Sequence, residues 1–278
     1  MTSSTPSSRV SLSDKPSSRF PVQGVLIINA DDWGRDRETT DRILECVLHG
    51  AVSSASAMVF MEDSQRAASL AREHGVDTGL HLNFTSPYTA RDCPPQLAEH
   101  QQSIASYLLR HRLAQIVFHP GLRRSFQYVV SSQVGEYRRL YGTGPLRLDG
   151  HHHMHLCANV IFGKLLPEGT IVRRNFSFQS GEKSVVNRWY RRFIDRRLAR
   201  HHRLTNFLFS LPPIEPAGRL EKIFSLAREF AVELETHPVH PREYAFLTGG
   251  ELCDLTRDLS VAPRFALPEN GRFSESQR

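Results

Sequence analysis

Residues 25–34 read Val-Leu-Ile-Ile-Asn-Ala-Asp-Asp-Trp-Gly, and this stretch decides the fold. Its unbroken apolar run predicts a strand that is buried on both faces, as in a parallel sheet. Asp31 and Asp32 follow that run, and they need partners because burying an unpaired carboxylate is costly. In parallel α/β folds, catalytic groups lie just past the carboxyl ends of strands. On this stretch alone, a helix-capping Asp followed by a turn glycine stays open as the alternative.

The rest of the chain alternates between strand and helix patterns, which implies a parallel sheet with right-handed crossovers. The number and length of the strands favour a barrel over an open sheet. We therefore predict a single-domain α/β fold, a distorted (β/α) TIM-like barrel over residues 23–262. A disordered tail is expected at 1–22 and a polar tail at 263–278. Residues 204–216 are expected to be irregular.

Composition excludes several functional classes. No run of 18 apolar residues exists, so no membrane span is expected, and the Ser- and Pro-rich start lacks the apolar segment of a secretory signal. The four cysteines form no Cys-x-x-Cys pair, which fits reduced thiols in a cytoplasmic protein. Neither a Gly-x-Gly-x-x-Gly motif nor a P-loop is present, so nucleotide binding by those devices is unsupported.

The net charge of +6 is concentrated in one segment. Residues 173–203 carry ten Lys or Arg residues against two carboxylates, and we expect a basic helix over 184–203. Such a helix could contact nucleic acid, an anionic membrane surface or an acidic substrate. The more frequent explanation is a solvated face whose arginine stems cover apolar surface. No zinc-finger or RNA-recognition signature accompanies it, so no nucleic acid is expected as a partner.

Polar side chains of one chemical kind follow four predicted strands. Because parallel strands end at one rim, we expect these side chains to converge there. A set of two His and one carboxylate suits Zn²⁺ or a neighbouring divalent metal, and the other groups could supply a base, an orienting partner and an acid. The residues concerned are Asp31, Asp32, His81, Asp149, His151 and His237.

Each of these signals also has a structural explanation. A lone His such as His81 is more often a hydrogen-bonded core residue than a ligand. The His-rich run at 151–155 could be a loop that binds metal loosely, and His237 before Pro238 could simply end a strand. Four such signals at four strand ends are hard to assign to chance.

Four motifs carry a family resemblance, and they stand in the family's order. They are Asn-Ala-Asp-Asp-Trp-Gly at 29–34, Gly-Leu-His-Leu-Asn at 79–83, Leu-Asp-Gly-His-His-His-Met-His at 148–155 and Glu-Thr-His-Pro at 235–238. Together they resemble the YdjC family of carbohydrate deacetylases. The resemblance implies a distorted (β/α) barrel and a metal-dependent N-deacetylase. It departs from the family at Trp33, where Phe is common, and it is loose over 173–216.

The resemblance also implies roles for individual residues. Asp32, His81 and His151 would bind a divalent metal, Mg²⁺ or Zn²⁺. Asp31 would be the general base, and His237 would be the general acid or oxyanion partner. The substrate would be an N-acetylated amino sugar, either an oligosaccharide or a lipid-linked sugar. A homodimer is compatible with the family.

Two other functions remain open at this point. One is a different metal-dependent hydrolase on the same barrel, for example a phosphodiesterase whose substrate is attracted by the basic helix. The other is a catalytically silent binding module, although the presence of both Asp residues and all three ligand positions argues against it.

Overall fold

The computed structural model describes residues 24–177, 184–216 and 218–267. Seven parallel strands form one sheet. They are β1 (Val25–Trp33), β2 (Ser54–Ala57), β3 (Thr78–Leu82), β4 (Arg147–Gly150), β5 (Ile171–Val172), β6 (Phe207–Ser210) and β7 (Ala231–Thr236). Their order across the sheet is β5-β4-β3-β2-β1-β7-β6, and every pair is parallel. The expected tail at 1–22 and most of the one at 263–278 lie outside the described residues.

The sheet curls until its two edges meet. Ile171 at one edge forms a parallel bridge with Arg203, and farther along the Ser177 amide donates to the Leu208 carbonyl (2.8 Å). The segments 171–177 and 203–208 therefore run side by side in the same direction. This incomplete, all-parallel barrel confirms the predicted α/β class and its distorted barrel architecture. We call the end of the barrel where the strands finish the rim.

Helices cover the outside of the sheet. They are α1 (Arg37–Leu48), α2 (Ser64–His74), α3 (Pro95–Leu108), α4 (Arg123–Tyr141), α5 (Ala158–Gly163), α6 (Val185–Leu198), α7 (Gly218–Leu226), α8 (Pro241–Thr248) and α9 (Gly250–Thr256). Asp36 starts α1 by accepting a hydrogen bond from the Thr39 amide, and Gly75 ends α2 at a positive φ of 65°. Among the described residues, no helix combines the length and apolarity that crossing a membrane requires.

Side-chain alternation separates an apolar outer layer from a polar interior. On β1, Leu26, Ile28 and Ala30 join the main apolar cluster under the helices. The intervening Asn29 and Asp31 are equally buried but meet other polar groups. The same alternation on β3, β4 and β7 sends His81, Asp149, Glu233 and Glu235 inward, together with Arg147. Because buried charges must be paired, the interior is held together by ion pairs and hydrogen bonds.

Two expectations from the sequence need correction. Residues 204–216 are not irregular throughout, since β6 pairs with β7 along its whole length, from Phe207 opposite Val232 to Ser210 opposite Glu235. The basic helix is shorter than 184–203, because α6 ends at Leu198. Beyond residue 262, the Phe265 amide donates to Asp77, so the described part of the expected C-terminal tail packs against the barrel.

Candidate active site

The end of β1 brings both of its carboxylates into the barrel. The register with β2 shifts between Ala30 and Trp33, and Asp32 has a φ of 71°, in the left-handed region that Asp tolerates better than most residues. Such an irregularity re-aims a side chain that strict alternation would send to the other face. Asp31 and Asp32 are accordingly both buried, at 3% and 1% exposed, and they face different partners.

Asp32, His81 and His151 form one compact group. Nδ1 of His151 lies 3.0 Å from Oδ1 of Asp32, and Nε2 of His81 lies 3.4 Å from the same oxygen. Three ligand atoms, one from each residue, lie within 4.8 Å of one another. The second oxygen of Asp32 accepts a hydrogen bond from Arg35 (2.7 Å). The expected ligand positions from three separate strand ends therefore meet at one point.

A carboxylate on β4 orients His81. Nδ1 of His81 donates to Oδ1 of Asp149 (2.8 Å), so the ring presents Nε2 toward Asp32. Metal-binding His residues typically have their other ring nitrogen held in this way. Asp149 itself is fixed by the hydroxyl of Ser56 (2.6 Å). The carboxylate next to the His-rich run thus has an identifiable function: it sets the ring orientation of His81.

The electrostatics of the group favour charged side chains. Burial opposes ionisation of Asp32, but hydrogen bonds from His151 and His81 outweigh it and hold the pKa of that carboxyl well below its usual range. Burial also lowers the pKa of His81, but the charges of Asp31 and Asp149 and the contact with Asp32 outweigh it and raise this pKa to about 10. The surrounding carboxylates therefore stabilise positive charge at this position.

The donor set fits a divalent metal ion. Ligand atoms about 2.0–2.2 Å from a common ion lie roughly 3–4.4 Å apart, a spacing compatible with a group contained within 4.8 Å. Two imidazole nitrogens and one carboxylate suit Zn²⁺ and its neighbours better than Mg²⁺, which prefers oxygen ligands. Three protein ligands also leave positions for water and substrate.

Asp31 connects this group to His237. Oδ2 of Asp31 lies 4.0 Å from Nδ1 of His81. Asp31 also belongs to a second group with Glu235 and His237, in which one potential metal-binding atom from each residue lies within 4.8 Å of the others. His237 is half-buried and follows β7 directly. The His237 amide is held by Glu243 (2.8 Å). The residue proposed as base thus lies between the candidate ligands and the residue proposed as acid.

Each histidine of the 151–155 run has its own partner, unlike a loose metal-binding tract. His151 contacts Asp32, whereas His152 meets the Thr85 hydroxyl (3.0 Å) and His153 pairs with Glu235 (3.0 Å). His152 and His153 both have positive φ values, 54° and 57°, which turn the backbone tightly after β4. Of the four histidines in this run, only His151 belongs to one of the candidate metal-binding groups found among the described residues.

Comparison with known proteins agrees with this geometry. The model of the family described as YdjC-like protein matches residues 25–253. The chain belongs to the YdjC-like family. The match begins with β1 and ends in α9, so it covers all seven strands and the residues that converge at the rim.

Curated relatives of this YdjC-like chain are deacetylases by name. A chitooligosaccharide deacetylase from Serratia marcescens is 32% identical over 140 residues, which are 49% of this chain and 52% of the relative. A carbohydrate deacetylase from Mus musculus is 30% identical over 141 residues, 49% of this chain and 44% of the relative. The chain thus matches about half the length of these relatives.

The solved structures add support for the fold. A crystal structure from Enterococcus faecalis V583, named for cellobiose-phosphate cleavage, superposes with a TM-score of 0.60. The match covers 86% of this chain and 97% of that one at 16% identity. At that identity the likeness concerns the architecture of the barrel.

The central cation of this YdjC-like site is a residue that was not predicted from the sequence. Arg173, at the end of β5, is 2% exposed and contacts four carboxylates. Its Nη1 and Nη2 bind Asp31 (2.6 and 2.7 Å), Nη2 also lies 3.0 Å from Asp149, Nε donates to Glu233 (2.7 Å) and Nη1 to Glu235 (3.0 Å). By sequence alone it belongs to the basic run of residues 173–203. Its place directly after a strand, like Asp31 and His81, was the signal that could have separated it.

Proposed function

We propose that this protein is a metal-dependent hydrolase that removes the N-acetyl group from an acetylated amino sugar. The observation that carries the proposal is the convergence of Asp32, His81 and His151 beside Asp31 at the rim. The deacetylase names of the relatives supply the reaction class, and that of the Serratia marcescens protein suggests an oligosaccharide of N-acetylglucosamine. A lipid-linked acetylated sugar is the other substrate of the same chemistry.

Asp32, His81 and His151 would hold the metal. A divalent ion at this position would polarise the acetamide carbonyl and lower the pKa of a water molecule toward neutrality. Asp149 would keep His81 in the ligating orientation, and Arg35 would fix the second oxygen of Asp32.

Asp31 would accept the proton of the attacking water. A carboxylate has about four lone-pair sites. Three contacts on Asp31 come from Arg173 (2.6 and 2.7 Å) and Asn29 (2.8 Å), and only one of these falls on Oδ2. Oδ2 therefore keeps a free site for water while Arg173 and Asn29 hold the carboxylate still.

His237 would protonate the leaving amine. An amide nitrogen is a poor leaving group until it is protonated, so the reaction needs an acid as well as a base. Glu235 and Asp31 lie next to His237. The amide of His237 is anchored by Glu243, which places the ring at the rim.

The test is acetate release from N-acetylglucosamine oligomers by the full chain supplied with Zn²⁺ or Mg²⁺. We expect Asp31→Asn to keep its metal and lose turnover, because the substitution removes the base and leaves the ligands in place. His49→Ala, at the exposed end of α1, is the matched control and should behave like the wild type. Full acetate release by Asp31→Asn would refute the proposed base.

The same samples distinguish the two other functions. A phosphodiesterase would release a phosphate ester product from a model diester and no acetate from the oligomers. A silent binding module would give neither product, and Asp31→Asn would bind sugar as the wild type does.

The proposal has consequences for location and assembly. All four cysteines are free thiols, Cys46, Cys93, Cys157 and Cys253, as expected in a reducing cytoplasm. We propose a cytoplasmic enzyme whose partner is the acetylated sugar rather than a nucleic acid. A homodimer remains a hypothesis from the family resemblance, and sedimentation velocity measures it directly.

A further inference from the structure

The exposed apolar side chains of this protein are concentrated in one region. Among the described residues, twelve large apolar side chains are exposed, and ten of them fall in three segments. We call these ten residues the apolar rim surface. They are Leu109, Leu113, Ile116, Val117, Phe118, Phe162, Val185, Val186, Trp189 and Phe193. Scattered exposed apolar residues are ordinary, but a concentration of this kind marks an interaction site.

The three segments are neighbours in space. The side chain of Asn159, in α5, bonds both the amide and the carbonyl of His119, which ties the end of the 109–118 segment to α5. Phe162, in the same helix, lies under the guanidinium of Arg197 from α6, 4.9 Å from its ring centroid. The helix α5 therefore lies between the 109–118 segment and α6.

The α6 part of this surface lies at the rim end of the barrel. The segments 171–177 and 203–208 run in parallel toward the rim, and α6 lies between them in the chain. Because α6 leads from the end of the first segment back to the start of the second, it begins at the rim and runs away from it. Asp195 is level with Asn175, to which it is hydrogen-bonded. Trp189 and Val185 precede Asp195 by six and ten residues. At the rise of a helix they therefore lie about 9 and 15 Å from Asp195 along the helix axis, in the direction of the rim and past it.

The 109–118 segment lies at the same end. Tyr137, late in α4, contacts Thr78 at the start of β3, so α4 begins at the rim and runs away from it. His100 of α3 meets Ser125 near the start of α4 (2.9 Å). Residues 109–118 follow α3 and precede α4, so they project beyond the level of the contact between His100 and Ser125. They lie on the side of the candidate active site.

The exposed face of α6 combines apolar and basic residues. Val185, Trp189 and Phe193 lie on one side at helical spacing, and the rings of Trp189 and Phe193 stack with centroids 6.0 Å apart. Arg192, Arg196 and Arg200 share that exposed side, and no carboxylate of the described residues lies within salt-bridge distance of them. The acidic residue of α6, Asp195, is buried against Arg174. The face is thus aromatic near the rim and cationic toward the other end of α6, farther from the rim.

We propose that the apolar rim surface docks on an anionic lipid bilayer, with Trp189 and Phe193 in the headgroup region and the arginines on lipid phosphates. Helices that bind at the membrane interface use the same two residue classes, because apolar side chains enter the headgroup region and basic side chains attract anionic lipids. A two-fold dimer through this face would bring both copies of these arginines into one interface, and an excess of like charge in an interface is unfavourable. The charge therefore favours an anionic occupant over a second copy of the chain. The proposal does not depend on the deacetylase reaction.

The test is binding of the full chain to two kinds of vesicle, pure phosphatidylcholine and phosphatidylcholine with phosphatidylglycerol in a three-to-one ratio. The chain has two Trp residues, and Trp33 is fully buried, so a change of Trp emission on binding reports Trp189. We expect sedimentation with the anionic vesicles only, a blue shift of the emission, and weaker binding in high salt.

Variants locate the contact. Arg192→Gln with Arg196→Gln should weaken partitioning by roughly fivefold per arginine. Trp189→Ser with Phe193→Ser should weaken it at least tenfold, since burying an aromatic side chain contributes that much or more. All four positions are exposed, so thermal unfolding should stay at the wild-type temperature.

Matched controls carry the same changes elsewhere. Arg37→Gln with Arg138→Gln changes two other exposed arginines, and Leu48→Ser with Leu146→Ser changes the two exposed apolar residues outside the surface. Both controls should bind like the wild type. The proposal is overturned if neither vesicle binds, if the controls lose binding equally, or if the serine variant instead abolishes a dimer seen without vesicles.

Discussion

Replacing Arg173 by Met should destabilise the protein strongly. Met keeps the length and apolar stem of the side chain but leaves four buried carboxylates, Asp31, Asp149, Glu233 and Glu235, without their shared cation. Removing one partner of a buried ion pair costs about 3–5 kcal/mol. Because domains of this kind are stable by roughly 5–15 kcal/mol, the free energy of unfolding should fall by about a fifth or more.

The assay is equilibrium unfolding in urea at pH 7, followed by circular dichroism. The matched control is Arg257→Met, because Arg257 pairs with Asp254 on the surface, where both side chains are more than 70% exposed. Such surface pairs contribute less than about 1 kcal/mol. The reasoning fails if Arg173→Met and Arg257→Met lose the same small amount of unfolding free energy.

The pH dependence gives the same prediction a second readout. Burial raises the pKa of Asp149, but the charge of Arg173 and the contact with His81 outweigh it and hold that pKa below its usual range. Without Arg173, this carboxyl should bind a proton more readily in the folded protein than in the unfolded chain. The difference in unfolding free energy between the variant and the wild type should therefore be largest at pH 7 and above, and it should shrink steadily as the pH falls to about 4 and below.

Three further substitutions test other parts of the interior. Burial lowers the pKa of His155 to about 3. Between about pH 6.5 and pH 3 the unfolded chain therefore binds more protons than the folded protein, and the wild type loses stability as the pH falls through that range. His155→Gln should flatten this loss, which urea titrations at several pH values measure. Asp149→Asn should weaken Zn²⁺ binding by about 10–100-fold in calorimetric titration, because it disturbs the orientation of His81, and wild-type affinity would contradict that role. Gly79→Ala should lower the free energy of unfolding by about 1–3 kcal/mol, because the added Cβ would lie 2.8 Å from Cζ of Arg147. An unchanged urea midpoint would show that the Arg147 side chain can move aside.

The strand ends were predictable because their pattern is local. The apolar run before Asp31 and the Leu-His-Leu alternation around His81 each identify a strand and the face of its polar residue. Parallel pairing then brings those residues to one rim without further information. This is why the sequence predicts that these polar residues converge, whereas the choice of Asp32, His81 and His151 as the ligands rests on the family resemblance.

The missed features depend on partners far away in the chain. The strand β6 has four residues and is held by its pairing with β7, which a local pattern does not reveal. Arg173 follows a strand of two residues and opens a basic run, so its local sequence resembles a solvated surface. Its burial is a consequence of carboxylates that β1, β4 and β7 bring into the barrel.

Metal analysis of the purified full chain and its variants tests the central claim most directly. After incubation with Zn²⁺ and extensive dialysis, we expect about one ion per chain in the wild type and in His49→Ala. We expect none in His81→Ala or His151→Ala, because each removes one of the three ligands that converge at the rim. A full complement of metal in both of these variants would contradict the account.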